Sequence, residues 1–93
     1  MNTQVLNGWT GTDTNTMTTS NGNKKAFFRM ATHETNTNGE KVTVWHNMAA
    51  WNKVAELVQG LASGTPIQVE GYNHTHTAAS GKQFTEFVIV RIF

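Results

Sequence analysis

Ninety-three residues, 38% hydrophobic, with no cysteine and a net charge of +1, set narrow bounds. They leave room for one small domain, stabilised further by self-association, and exclude a disulfide framework, a thiolate metal site and a cysteine nucleophile. Seven Lys or Arg against six acids also argue against a partner held by charge alone.

The start, MNTQVLNGWT, has neither a basic n-region nor an apolar h-region, and no apolar run approaches the roughly 18 residues of a spanning helix. The chain therefore reads as soluble and cytoplasmic, with no membrane partner. A first strand is expected over 3–9, TQVLNGW. The stretch that follows, GTDTNTMTTSNGN, is read as a threonine-rich loop ending in turn residues. A second strand, AFFRMATHE, puts Phe28, Met30 and Thr32 on one parity and Phe27, Arg29, Ala31 and His33 on the other. The first set has the look of core.

TNTNGEK makes a hairpin connection into a third strand, KVTVWHNMAAW. There Trp45 and Trp51 stand six positions apart, an even number, so both indoles share one face. At about 3.3 Å per residue they lie roughly 20 Å apart, too far to touch. Val42, Val44, His46, Met48 and Ala50 occupy the opposite face, which is the apolar one. If that face packs inward, the tryptophans look outward beside Phe27 and Arg29. A β-bulge between 46 and 50 would undo this parity.

Asn52 is expected to cap a helix over NKVAELVQGLASG, with Val54, Leu57, Val58 and Leu61 on its stripe and Gly60 and Gly64 near its end. Pro66 opens a fourth strand, PIQVEGYNHTHT, and AASGKQ turns the chain into a fifth, FTEFVIVRIF. Three strands, a helix and a terminal hairpin describe an all-β fold. It is a five-stranded Greek-key barrel of the oligonucleotide/oligosaccharide-binding type, a single domain over 1–93, with one α-helix between strands 3 and 4.

Five segments carry a resemblance to the bacterial single-stranded DNA-binding protein family: VLNGWTGTD, NGNKKAFFRMATHE, TVWHNMAAWNKVAEL, SGTPIQVEGY and TEFVIVRI. The third is the most specific, pairing Trp-His with a second aromatic six residues after the first and a helix behind it. The resemblance implies sequence-independent binding of single-stranded DNA in replication, recombination or repair, by a homodimer or homotetramer. It matches Trp45 and Trp51 to base-stacking aromatics and places His46 at a subunit contact. The departures are specific too. The family's other two stacking tryptophans fall at Asn36 and near Ala78, and two strand-four arginines become His74 and His76. The usual Asp-Pro-Glu turn reads Asp13-Thr14-Asn15. The disordered linker and acidic tip that recruit replication proteins do not follow the barrel, so no tail-mediated recruitment is expected.

The candidate DNA-binding set is Trp45, Trp51, Phe27, Arg29, Lys24, Lys25, Lys53, His74 and His76, with Lys41 and Lys82 as further phosphate contacts. Each has a plainer reading: core or interface packing for the tryptophans, ordinary sheet packing for Phe27, solvated surface charge for the lysines. Trp9 fits an interface, packing or a DNA platform equally. His74 and His76 lack a third metal ligand, so neither a metal nor a cofactor is expected. A single Asp, with no nucleophile elbow and no phosphate-cradling loop, points away from an enzyme. The rival readings are a protein-assembly module of primosome type and a single-stranded RNA binder.

Overall fold

The computed structural model describes residues 2–93. In chain order the elements are β1 (Gln4–Thr10), β2 (Asn15–Thr18), β3 (Lys24–Thr35), β4 (Lys41–Trp51), α1 (Asn52–Val58), β5 (Pro66–Thr77) and β6 (Gln83–Ile92). The sheet runs β1-β5-β6-β4-β3-β2, and pairing of Trp9 and Thr10 with Ala31 and Met30 joins β1 back to β3. Five strands thus close a barrel. β2 is laid on the same edge of β3, along Lys24–Phe27. The pairs are antiparallel except β4 with β6, which run parallel through Met48–Phe87 and Ala49–Val88. This is the oligonucleotide/oligosaccharide-binding fold, as expected.

Alternation along each strand delivers one set of side chains to the interior. Ala26, Phe28 and Met30 come from β3, Met48 and Ala50 from β4, Val69 from β5, and Phe87 and Ile89 from β6. Ala55 and Val58 of α1 join them, packing the helix against β3, β4 and β6. Burying a large apolar side chain of this kind stabilises by about 1.5–3 kcal/mol. Thr10 is also fully buried, and its polar atoms are all used. Its hydroxyl donates to the Ala62 carbonyl at 2.7 Å and accepts the Thr65 N–H at 2.9 Å, tying the segment after α1 to the end of β1.

Three expectations need correction. The threonine-rich stretch is not all loop: β2 lies within it, and all four of its residues are exposed. With no buried face it has no apolar alternation, which is what hid it. The helix ends at Val58, not 64, because Gln59 turns extended (ψ 141°) and Gly60 takes φ +81°. Asn52 does not cap it. It adopts φ +53°, a left-handed position that asparagine tolerates, and its amide oxygen accepts the Lys24 N–H at 3.2 Å. The helix's buried pair is consequently Ala55 and Val58, while Leu57 is 68% exposed.

Candidate nucleic-acid interface

The register of β3 with β4 is unbroken from Lys25–Trp51 to Thr35–Lys41, so no bulge interrupts 46–50. Trp45 and Trp51 therefore do share a face, and it is the outer one: they are 48% and 36% exposed, whereas Met48 and Ala50 are buried. Cross-strand partners point the same way, which extends the face in both directions. On one side it takes in Phe27, Arg29 and Lys25 of β3, then Asn15 and Met17 of β2. On the other it crosses Val88 and Glu86 of β6 to Tyr72, His74 and His76 of β5. Ala31 and Ala49 have the same parity but are buried, in register with Trp45 and Phe27 respectively.

The hairpin of β5 and β6 turns this face into a groove. One part, about 570 Å³, runs between Met17, Phe27 and Arg29 on one side and His76 and Phe84 on the other. A second part, about 420 Å³, lies beside Trp51, Tyr72 and His74. Lys25, His76 and Glu86 line both.

Rings and cations alternate here. The Arg29 guanidinium stands 5.0 Å from the Trp45 ring centroid, Lys25 Nζ 5.3 Å from Trp51, and Lys82 Nζ 5.4 Å from Phe84. A cation at this distance is attracted by the ring's quadrupole. His76 stacks against Phe84 and His74 at centroid separations of 5.7 and 6.0 Å. Trp45 also rests on Gly11, where any Cβ would come within 2.0 Å of its Cζ3. A glycine is needed there for the indole to lie as it does. Away from the groove, Glu70 accepts the Thr3 hydroxyl at 2.7 Å and pairs with Arg91 at 2.8 Å. The Thr3 hydrogen bond first, with Arg91 adding to it, holds the Glu70 carboxyl below the usual carboxylate range against desolvation, which opposes them.

Of the nine side chains expected from sequence, seven meet on this one face: Trp45, Trp51, Phe27, Arg29, Lys25, His74 and His76. Lys24 has the opposite parity, and its ammonium donates to Gln59 Oε1 just beyond α1. Lys53 lies exposed on α1 itself, outside the groove lining. His46 sits on the inward parity, half-buried, with Nε2 2.9 Å from the Thr32 hydroxyl. Asn36 is occupied in its hairpin, where Oδ1 accepts the N–H groups of Asn38 and Glu40, both at 3.0 Å. Trp9 is in register with Ala31, hence on the Trp45 side, and its ring lies 4.7 Å from His33. Sequence reasoning missed Gly11, Met17, Phe84 and Glu86. Strand parity alone would have placed Glu86 opposite the buried Phe87, but nothing local says that β6 comes up beside β4. Among the described residues no group of three or more His, Asp or Glu could hold a metal. No helix among them is long and apolar enough to cross a membrane.

The groove of rings and cations thus crosses one open face of a closed barrel of the oligonucleotide/oligosaccharide-binding fold. The model of the single-strand binding protein family matches residues 1–91, and the chain belongs to that family. Its members bind DNA without catalysing a reaction. Among solved structures, a deletion mutant of the single-stranded DNA binding protein from Thermus aquaticus superposes with a TM-score of 0.81 at 20% identity. The match covers 100% of this chain and 49% of that one, so the chain spans about half the length of that relative, and the likeness is one of fold. Comparison with curated protein sequences gives no match.

Proposed function

We propose that this barrel, acting as a single domain, binds single-stranded DNA without sequence preference. Bases stack on Trp45 and Trp51, and phosphate contacts the Arg29 guanidinium. The observation that carries this is the exposure of both indoles on one face, each with a cation about 5 Å from its ring. A base stacked on an aromatic contributes about 1–3 kcal/mol, and every base offers a π-face, so affinity does not require sequence readout. A base arriving at Trp45 displaces the Arg29 guanidinium onto the adjoining phosphate, exchanging a cation–π contact for an ion pair. Phe27 extends the stacking surface, while His74 and His76 stand where extra positive charge would meet the backbone. Family membership supports work in replication, recombination or repair in the cytoplasm, as a homodimer or homotetramer with His46 at the subunit contact.

Tryptophan emission tests the reading. Adding oligo-dT should quench it, because bases cover the indoles. Emission that is blue-shifted beforehand and indifferent to oligo-dT would instead put the rings between protein chains, as a protein-assembly module requires. Competition between dT and U oligomers of equal length separates DNA from RNA, since stacking alone does not sense the 2′-hydroxyl.

A further inference from the structure

Resting on that reading, we propose that Glu86 limits the affinity of the groove by holding Lys25 away from phosphate. Glu86 is the acid that lines both parts of the groove among the described residues. Its side chain is only 17% exposed, and Lys25 Nζ lies 3.2 Å from each of its carboxylate oxygens. On its other side His76 Nε2 comes within 3.7 Å of Oε1.

The same ammonium stands 5.3 Å from the Trp51 ring, beside the plate that takes a base and hence beside the path of the backbone. A phosphate reaching Lys25 meets a cation already neutralised and a carboxylate a few ångströms behind it. Because one of the partners sits in each strand flanking β4, Lys25 in β3 and Glu86 in β6, the pair spans the floor of the groove under the nucleic acid. The lining of the groove therefore presents two full cations, Lys25 and Arg29, and one acid that cancels the first. Each phosphate neutralised on a single strand steepens the dependence of log K on log salt by about 0.7, so the cancelled contact is measurable as a missing increment.

The test is a set of oligo-dT titrations at pH 8 across 50 to 500 mM salt, followed by tryptophan emission, on the intact protein, Glu86→Gln, Lys25→Met and the double variant. Thermal melts check folding. Glu86→Gln should bind about eightfold tighter at 50 mM salt with a slope steeper by about 0.7, the effect of one added phosphate contact. Lys25→Met leaves the Glu86 carboxylate without its partner and should weaken binding without making the slope shallower, and the double variant, neutral at both positions like the intact pair, should return to the intact protein's slope with no added phosphate contact. A folded Glu86→Gln that binds equally or more weakly overturns the inference, as does a Lys25→Met slope shallower by about 0.7. If Glu86→Gln does not fold, the Lys25→Met slope decides. An intact protein that ignores oligo-dT removes the proposed function and this inference together, whereas one that binds while Glu86→Gln gains nothing overturns the inference alone.

Discussion

Two parts of the surface expose large apolar side chains, and they differ in what accompanies them. On the tryptophan face the exposed groups are flat rings, and Trp45, Trp51 and Phe84 each have a Lys or Arg within about 5 Å. At the end of α1, Leu57, Leu61, Ile67, Ile92 and Phe93 line a second groove of about 450 Å³. Most of those side chains are branched aliphatics with no π-face. The one ring, Phe93, has Arg91 4.9 Å away and paired with Glu70, as Lys25 is with Glu86, but it stands alone among aliphatic side chains. Exposed hydrophobicity by itself does not mark a nucleic-acid track; several rings set along one open groove, each with a cation beside it, do.

The sharpest test of this contrast is to remove plates from one region and side chains from the other. Trp45→Ala and Trp51→Ala should each lose about 1–3 kcal/mol of oligo-dT binding, about 5- to 150-fold, whereas Leu57→Ser should change nothing in the same titration. Equal losses from both regions would erase the distinction. Next in size is Gly11→Ala, which touches no DNA itself. Its Cβ would force the Trp45 indole off its seat, and affinity should fall by roughly fivefold, the lower end of one stacked base, with the melt nearly unchanged.

Replacing Arg29 with Met should make the salt slope shallower by about 0.7 and leave Trp51 quenching intact; an unchanged slope would show that Arg29 never leaves Trp45 for phosphate. The smallest effect concerns the other region. Glu70 titrates below its ordinary value of 4.5 in the folded chain. Its contribution to stability is therefore present above that value and is lost as pH falls through the lower folded one. Glu70→Gln should flatten that part of the melting-temperature curve, and an identical acid limb in both proteins would contradict it.

What could be read from the chain beforehand follows from what is local. Period-two alternation in 26–34 and 41–51 separates the core from the tryptophan face because β3 and β4 pair without a slip, so parity survives end to end. The element order then leaves few barrels to choose from. β2 was invisible because a strand exposed at every position carries no hydrophobic signal. The groove's far wall was invisible for a different reason. Lys25 and Glu86 are 61 residues apart, and their meeting depends on how β6 lies across the barrel. Gly11 beneath Trp45 is of the same kind, a contact set by the path of the chain after β1 and not by any pattern in it.

The unbroken ladder under the tryptophans also decides which molecule must bend. Eleven consecutive residue pairs with β3, and a parallel neighbour on the other edge, fix the interval between the two plates. The polymer has to supply the compliance, unstacking its own bases and letting its sugar–phosphate links stretch or loop to fit an interval it did not choose. Loosely stacked pyrimidine tracts meet that demand at little cost, while tightly self-stacked purine runs resist it, so a site with no sequence readout would still discriminate by the stiffness of the strand offered to it.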